Sequence, residues 1–266
     1  MSEGETYELT DHIPTAPNLP GHVVLSGDGD AALDALGLDM LLQAKKCVHE
    51  FGDFHLALSG GNTPMPLYRR LMYDPSFRDF PWSHTHLWIV DERCVPFDHE
   101  KSNFRQIHEL IVEHSDIPPA NVHAIYAYEP DADARYETDL RETLARRANG
   151  QHRLDFVLLG MGDEGHTASL FPHSEAQLVT DRWASFNRGP TVVPPDRVTM
   201  TYPLLNGARF VAALVLGKNK AQMLHRIATG TDPSSEIPIK GIVPVDGQLR
   251  WYLDPLSARW PVPAEA

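Results

Sequence analysis

Short apolar runs recur along the chain, and between them apolar residues return at three- and four-residue steps. "LDFVLLG" has no polar face, as a strand buried on both sides requires. "HVVLS", "FHLALS", "THLWIVDE", "RVTMTYP", "ARFVAALVLG" and "LRWYLD" read as further strands. Leu33, Leu36, Met40, Leu41, Ala44 and Val48 trace one face of a helix, and Leu67, Leu71 and Met72 mark another. Ser102 can cap a helix over "NFRQIHELIVEH", and "DADARYETDLRETLARRANG" reads as a helix ended by Asn149 and Gly150. A last helix runs from about Asn219 to Ala228. This alternation predicts an α/β fold: one domain, with an open, mostly parallel, Rossmann-like sheet covered by helices on both faces. No linker, repeat or low-complexity tract divides the chain. Residues 1–20 and the tail "WPVPAEA" read as irregular, and the Pro-rich "GPTVVPPDR" reads as a surface loop.

A chain of 266 residues, 42% hydrophobic and 22% charged, can bury a sizeable core. Its net charge of −13 argues against a general nucleic-acid binder, which needs a basic face. A small anion is still compatible, because a few local basic residues can dominate one pocket. Cys47 and Cys94 show no zinc-like spacing and suggest a reducing compartment, with a disulfide left open. The start of the chain, "MSEGETYELTDHIPTAPNLPG", lacks the basic and apolar regions of a signal peptide. No run approaches the length of a membrane span, so the expected location is the cytoplasm. Most of the 14 histidines are scattered singly.

Ligands of open parallel sheets bind outside the carboxyl ends of the strands. The loops that follow strands are therefore the places to look. In "LALSGGNTP", Gly60 and Gly61 lead to Thr63, with Pro64 at the start of a helix. Glycines let backbone N–H groups approach an anion, and the Ser59 and Thr63 hydroxyls can add donors. The stretch is either a phosphate cradle or an ordinary strand-to-helix turn. Asp91, Glu92 and Arg93 stand immediately after a buried strand. Alternation turns Asp91 and Arg93 to one side and Glu92 to the other. They serve a polar ligand or form a structural ion pair closing the loop. In "LLGMGDEGHTASLFP", Gly160, Gly162 and Gly165 bend the chain before His166, which is expected just ahead of a short helical segment. Beside Glu164, His166 suits a general base; otherwise it is a satisfied structural histidine. Arg197, Lys218 and Lys220 stand at strand ends, as anion partners or as solvated surface charges. "HTH" at His84 to His86 offers two imidazoles on one strand face, but at the wrong edge of the sheet and without a third ligand. No metal site is expected there.

Six stretches together resemble the 6-phosphogluconolactonase family, within the wider group that includes glucosamine-6-phosphate deaminases. They are "LALSGGNTPMPLY", "VDERCVP", "KSNFR", "LDFVLLGMGDEGHTASLFP", "RVTMTYPLLNGAR" and "LVLGKNKA", in family order from about residue 56 to 221. The deaminase-like members carry a glutamate five residues after the histidine, and Phe171 stands there in this chain. The resemblance thus favours hydrolysis of 6-phospho-D-glucono-1,5-lactone to 6-phosphogluconate, in the oxidative pentose phosphate pathway. It implies His166 as the base that activates water and Arg93 as a partner of the oxyanion. Asp91 would position sugar hydroxyls or tune His166. Glu164, where the family usually has aspartate, would orient the imidazole. Gly60, Gly61 and Thr63 would cradle the phosphate, with Arg197 and Lys220 as its cationic partners. Neither metal nor organic cofactor is needed, and the expected partner is the small-molecule lactone alone, with no nucleic acid and no membrane. Monomer and dimer both stay open. The rival readings are an amino-sugar-phosphate deaminase or isomerase and a non-catalytic sugar-phosphate sensor.

Overall fold

In the computed structural model, which describes residues 15–148 and 150–259, strands and helices alternate in the expected way. The first half carries β1 (His22–Leu25), α1 (Gly29–Phe51), β2 (Phe54–Leu58), α2 (Met65–Tyr73), β3 (Thr85–Ile89), β4 (Asp91–Arg93), α3 (Asn103–Leu110), β5 (Val122–His123) and α4 (Ala132–Leu144). The second half carries β6 (Phe156–Gly160), β7 (Ala184–Arg188), β8 (Asp196–Met200), α5 (Tyr202–Gly207), β9 (Phe210–Val215), α6 (Ala221–Thr229), β10 (Gln248–Leu253) and α7 (Pro255–Ala258). The tail "WPVPAEA" and most of segment 1–20, both read above as irregular, and Asn149, read as a helix end, lie outside the described residues.

Seven strands form one parallel sheet in the order β1-β10-β9-β6-β2-β3-β5, flanked by helices. Every residue of β2, β3 and β9 is buried, and β9 accordingly reads as one continuous apolar run. Local signals set the helix ends. Asp28 accepts from Ala31 N at 2.8 Å to start α1, and Gly52, at φ 90°, ends it. Ser102 accepts from Arg105 N at 3.1 Å, the cap expected for α3.

The structure corrects the sequence reading in three places. "THLWIVDE" is not one strand: the chain leaves the parallel sheet after Ile89, and Asp91–Arg93 joins a separate antiparallel sheet of order β4-β8-β7. "RVTMTYP" belongs to that small sheet too, so Arg197 reaches the carboxyl edge from outside the main one. No helix follows His166 directly. The Thr167–Leu170 turn closes on itself through a single bridge instead.

The parallel strand order has one reversal that matters for function. The chain after β2 moves to β3 and β5, while the chain after β6 moves to β9 and β10. Neighbouring strands β2 and β6 therefore send their following loops in opposite directions, and a crevice opens at their carboxyl ends.

Candidate active site

A cavity of about 440 Å³ occupies this crevice. Its floor comes from the ends of β6 and β9, one wall from Ser59–Pro64 after β2, and another from the small antiparallel sheet. Ser59, Gly60, Gly61, Thr63, Asp91, Arg93, His166, Arg197 and Lys220 all line it. Five separate segments, the loops after β2, β6 and β9 and the strands β4 and β8, thus deliver the singled-out residues to one place. Glu164 stands behind the wall, against His166.

The loop that carries His166 depends on glycine at two positions. A Cβ on Gly162 would lie 2.1 Å from the His166 ring, so only glycine lets the backbone pass beneath the imidazole. Gly165 has φ +83° and sets the reversal just before His166. Gly162 N donates to His166 O at 2.8 Å, closing the bend. Glu164 Oε1 lies 3.0 Å from His166 Nδ1, but off the line of a hydrogen bond, so the contact is a close approach of the carboxylate to the ring. The imidazole beside it holds the Glu164 carboxyl down to about 2. Phe171 packs its ring 4.9 Å from that of His166 and is itself buried.

Asp91 and Glu92 face opposite ways, as alternation requires. The Asp91 carboxylate accepts from Ser169 Oγ at 2.6 Å, and its backbone carbonyl accepts from Asn103 Nδ2 at 2.7 Å. Glu92 turns away and accepts from the backbone N–H groups of Arg93, Asn103 and Phe104 and from Ser102 Oγ, at 2.7–2.9 Å. Burial raises its carboxyl, and these four donors oppose the rise. Glu92 is thus the anchor of α3.

The two arginines are cross-strand partners: Arg93 of β4 stands directly opposite Arg197 of β8. Like charges so placed repel. Both side chains face the cavity, so an anion there would relieve the repulsion. Arg197 is buried, which lowers its affinity for its own proton, and its guanidinium donates to the carbonyls of Pro194 and Asp196. Lys220 reaches the cavity from the turn before α6, and its Nζ pairs with Asp163 at 2.5 Å. Lys218 does not line the cavity.

Ser59 departs from expectation. Its hydroxyl donates to Leu158 O at 2.8 Å and ties β2 to β6, so that proton is not available to a phosphate. The role of Ser169, Asn103 and Asn187, whose Nδ2 donates to Ser169 O at 2.7 Å, was not anticipated. Ser169 and Asn103 lay inside the motifs "GHTASLFP" and "KSNFR", and only their position in those motifs could have pointed to them.

The other histidine cluster lies at the opposite end of the sheet. His84 belongs to a short turn before β3 and is exposed, so it does not share a strand face with His86. His86 instead meets Asp53 and His55, with ligand atoms within 4.8 Å of one another. The donor set does not suit a metal. Trp88 Nε1 donates to His55 Nδ1 at 3.1 Å, which keeps the neutral ring's proton on Nε2, the atom a metal would need. Arg147 pairs with Asp53 at 2.5 Å and would oppose a second cation. Both cysteines are free thiols, and burial pushes Cys47 up to about 12 and Cys94 to about 11. Both therefore stay protonated at neutral pH. Among the described residues no helix is long and apolar enough to cross a membrane.

The profile of a family described as glucosamine-6-phosphate isomerases/6-phosphogluconolactonase matches residues 27–251, which span every cavity-lining loop. The chain is 37% identical over 238 residues to the human GDH/6PGL endoplasmic bifunctional protein, covering 87% of this chain but only 29% of that relative's length. It is 40% identical over 215 residues to the 6-phosphogluconolactonase of Synechocystis, covering 79% of this chain and 85% of the relative. A solved 6-phosphogluconolactonase from Thermotoga maritima superposes with a TM-score of 0.74 at 30% identity, covering 88% of this chain and 99% of the other. With the parallel sheet, the crevice at its strand reversal and these matches in agreement, the chain belongs to the family of glucosamine-6-phosphate isomerases and 6-phosphogluconolactonases.

Proposed function

We propose that the protein hydrolyses 6-phospho-D-glucono-1,5-lactone to 6-phosphogluconate. The observation that carries the reading is that one cavity gathers an imidazole approached by a carboxylate, the cationic side chains of Arg93, Arg197 and Lys220, and the glycine turn after β2. The phosphate lies at Gly60, Gly61 and Thr63, between Arg197 and Lys220. That remote anchor orients the lactone carbonyl. Glu164 keeps the His166 proton on Nδ1 and leaves Nε2 as the basic atom. Nε2 takes a proton from water as the water oxygen attacks C1, and the carbonyl electrons move to oxygen. Arg93 stabilises that oxyanion. When the intermediate collapses, the C1–ring-oxygen bond breaks and the imidazolium returns its proton to the ring oxygen. Asp91, fixed by Ser169, holds a sugar hydroxyl. The acid so formed gives its remaining proton to solvent, and the resulting carboxylate, close to Asp91 and Glu164, is repelled, which favours release.

Phe171 argues against the deaminase reading, because an apolar ring cannot move the proton that a glutamate would move. A sensor that only binds sugar phosphates has no need of His166. The decisive measurement is lactone hydrolysis followed with pH, with unphosphorylated gluconolactone as the control. His166→Ala lowers turnover by about 10²–10⁴-fold while inorganic phosphate still binds. Wild-type turnover in that variant would sink the mechanism.

A further inference from the structure

We infer that Asp163 is a built-in competitor for the phosphate subsite, so that an anion must displace an internal carboxylate from Lys220 to bind. The inference rests on the reading that Lys220 holds a phosphate. Asp163 Oδ1 accepts from Lys220 Nζ at 2.5 Å and from Asn219 Nδ2 at 3.0 Å. The pair is lopsided. The Lys220 side chain is 16% exposed and lines the cavity, while the Asp163 side chain is 73% exposed and does not. Lysine is thus held by the cavity wall, and the carboxylate leans on it from solvent. The hydrogen bond from Lys220 holds the Asp163 carboxyl below its ordinary range, so it stays charged in any neutral assay.

A carboxylate in this place has two possible consequences of opposite sign. If it positions Lys220, removing it weakens phosphate binding. If it competes, removing it strengthens phosphate binding. The geometry points to competition. Lys220 is largely buried where it lines the cavity, whereas Asp163 is the exposed partner, so it is the carboxylate that can swing into solvent when an anion takes its place. A dianionic phosphate outbids one carboxylate for the ammonium; a single carboxylate ligand does not. Asp163 therefore makes the subsite selective for dianions, at the expense of affinity.

The test is Asp163→Asn, with inorganic phosphate binding measured by calorimetry on the full chain at pH 7.5, and acetate as the monoanion. Phosphate is expected to bind roughly three- to tenfold more tightly, the size of a weak ion pair plus one removed repulsion. Acetate gains at least as much, so selectivity falls. In Lys220→Met the same Asp163 substitution has a smaller effect, because there is no ammonium to compete for. Unchanged or weaker phosphate binding in Asp163→Asn overturns the inference, as does an equal gain in the Lys220→Met background. KM for the phospholactone should fall in parallel with the phosphate constant, while unphosphorylated gluconolactone is unaffected. The binding arms do not require turnover. A wild-type protein that binds phosphate as described but hydrolyses no lactone would refute the proposed function and leave this inference standing.

Discussion

An imidazole that takes a proton from water needs one nitrogen held and the other unprotonated. Glu164 supplies the holding charge. Its carboxyl, held down to about 2 by His166, is ionised throughout any practical assay range. Loss of activity on acidification therefore does not come from Glu164 losing its charge. Glu164→Gln removes the charge that holds the imidazole, so kcat falls while inorganic phosphate still binds. Turnover and phosphate binding measured side by side on the variant check this; wild-type turnover would detach Glu164 from the base. Glutamate reaches one methylene farther than the aspartate that the resemblance implies at this position. The off-line approach of Oε1 to Nδ1 is consistent with that longer reach.

At the scale of elements, the site is a junction between two sheets. β4 leaves the main sheet for the antiparallel one, and Glu92 within it gathers three backbone N–H groups and a hydroxyl at the start of α3. Glu92→Gln leaves at least one of those buried donors unpaired. The expected loss is about 1–3 kcal/mol of folding stability by denaturant titration. KM should rise as well, since Arg93 and Asn103 are tied to the same carboxylate. The parallel sheet was legible because strands buried on both faces carry apolar runs with no polar face, as Phe156–Leu159 does. The antiparallel sheet was not. β7 is "ASFNR" and β4 is "DER", short strands whose charged and apolar residues carry no clear period. The glycine bend before His166 was legible because glycine marks a local backbone need. Ser169 holding Asp91 was not, because that bond joins residues 78 apart and leaves no local trace. The Ser59 hydroxyl was misread for the same reason, being spent on a carbonyl 99 residues away.

At the scale of the molecule, the two ends of the sheet titrate for different reasons. The carboxyl end holds the cavity. The amino end holds a stack of histidines: His55 on His86 at 4.5 Å, and His123 on Trp88 at 3.7 Å. His86 Nδ1 lies 3.0 Å from His123 Nε2, and His123 Nδ1 lies 2.7 Å from Asp139. Burial, with His55 and His123 beside it, lowers His86 from 6.5 to about 3. Burial also lowers His55. A folded-state value below the unfolded one means that the unfolded chain takes up the proton first. Stability from a neutral His86 is present in full above about 6.5 and is lost as pH falls from 6.5 towards 3. Asp53 adds a second window. Burial alone would raise it, but His55 and Arg147 outweigh burial and hold it down from 3.8 to about 2, so its contribution fades as pH falls from about 4 to 2. His86→Phe keeps an aromatic ring in the stack and removes the first titration. Its stability should therefore fall less steeply between pH 6.5 and 3, by up to one proton's worth of slope, when unfolding is followed by denaturant at a series of pH values. Lactone turnover at neutral pH should not change, because the substitution lies across the sheet from the cavity. An unchanged slope would mean that His86 already carries its proton in the folded protein, and the neutral His86 inferred from its burial would be wrong.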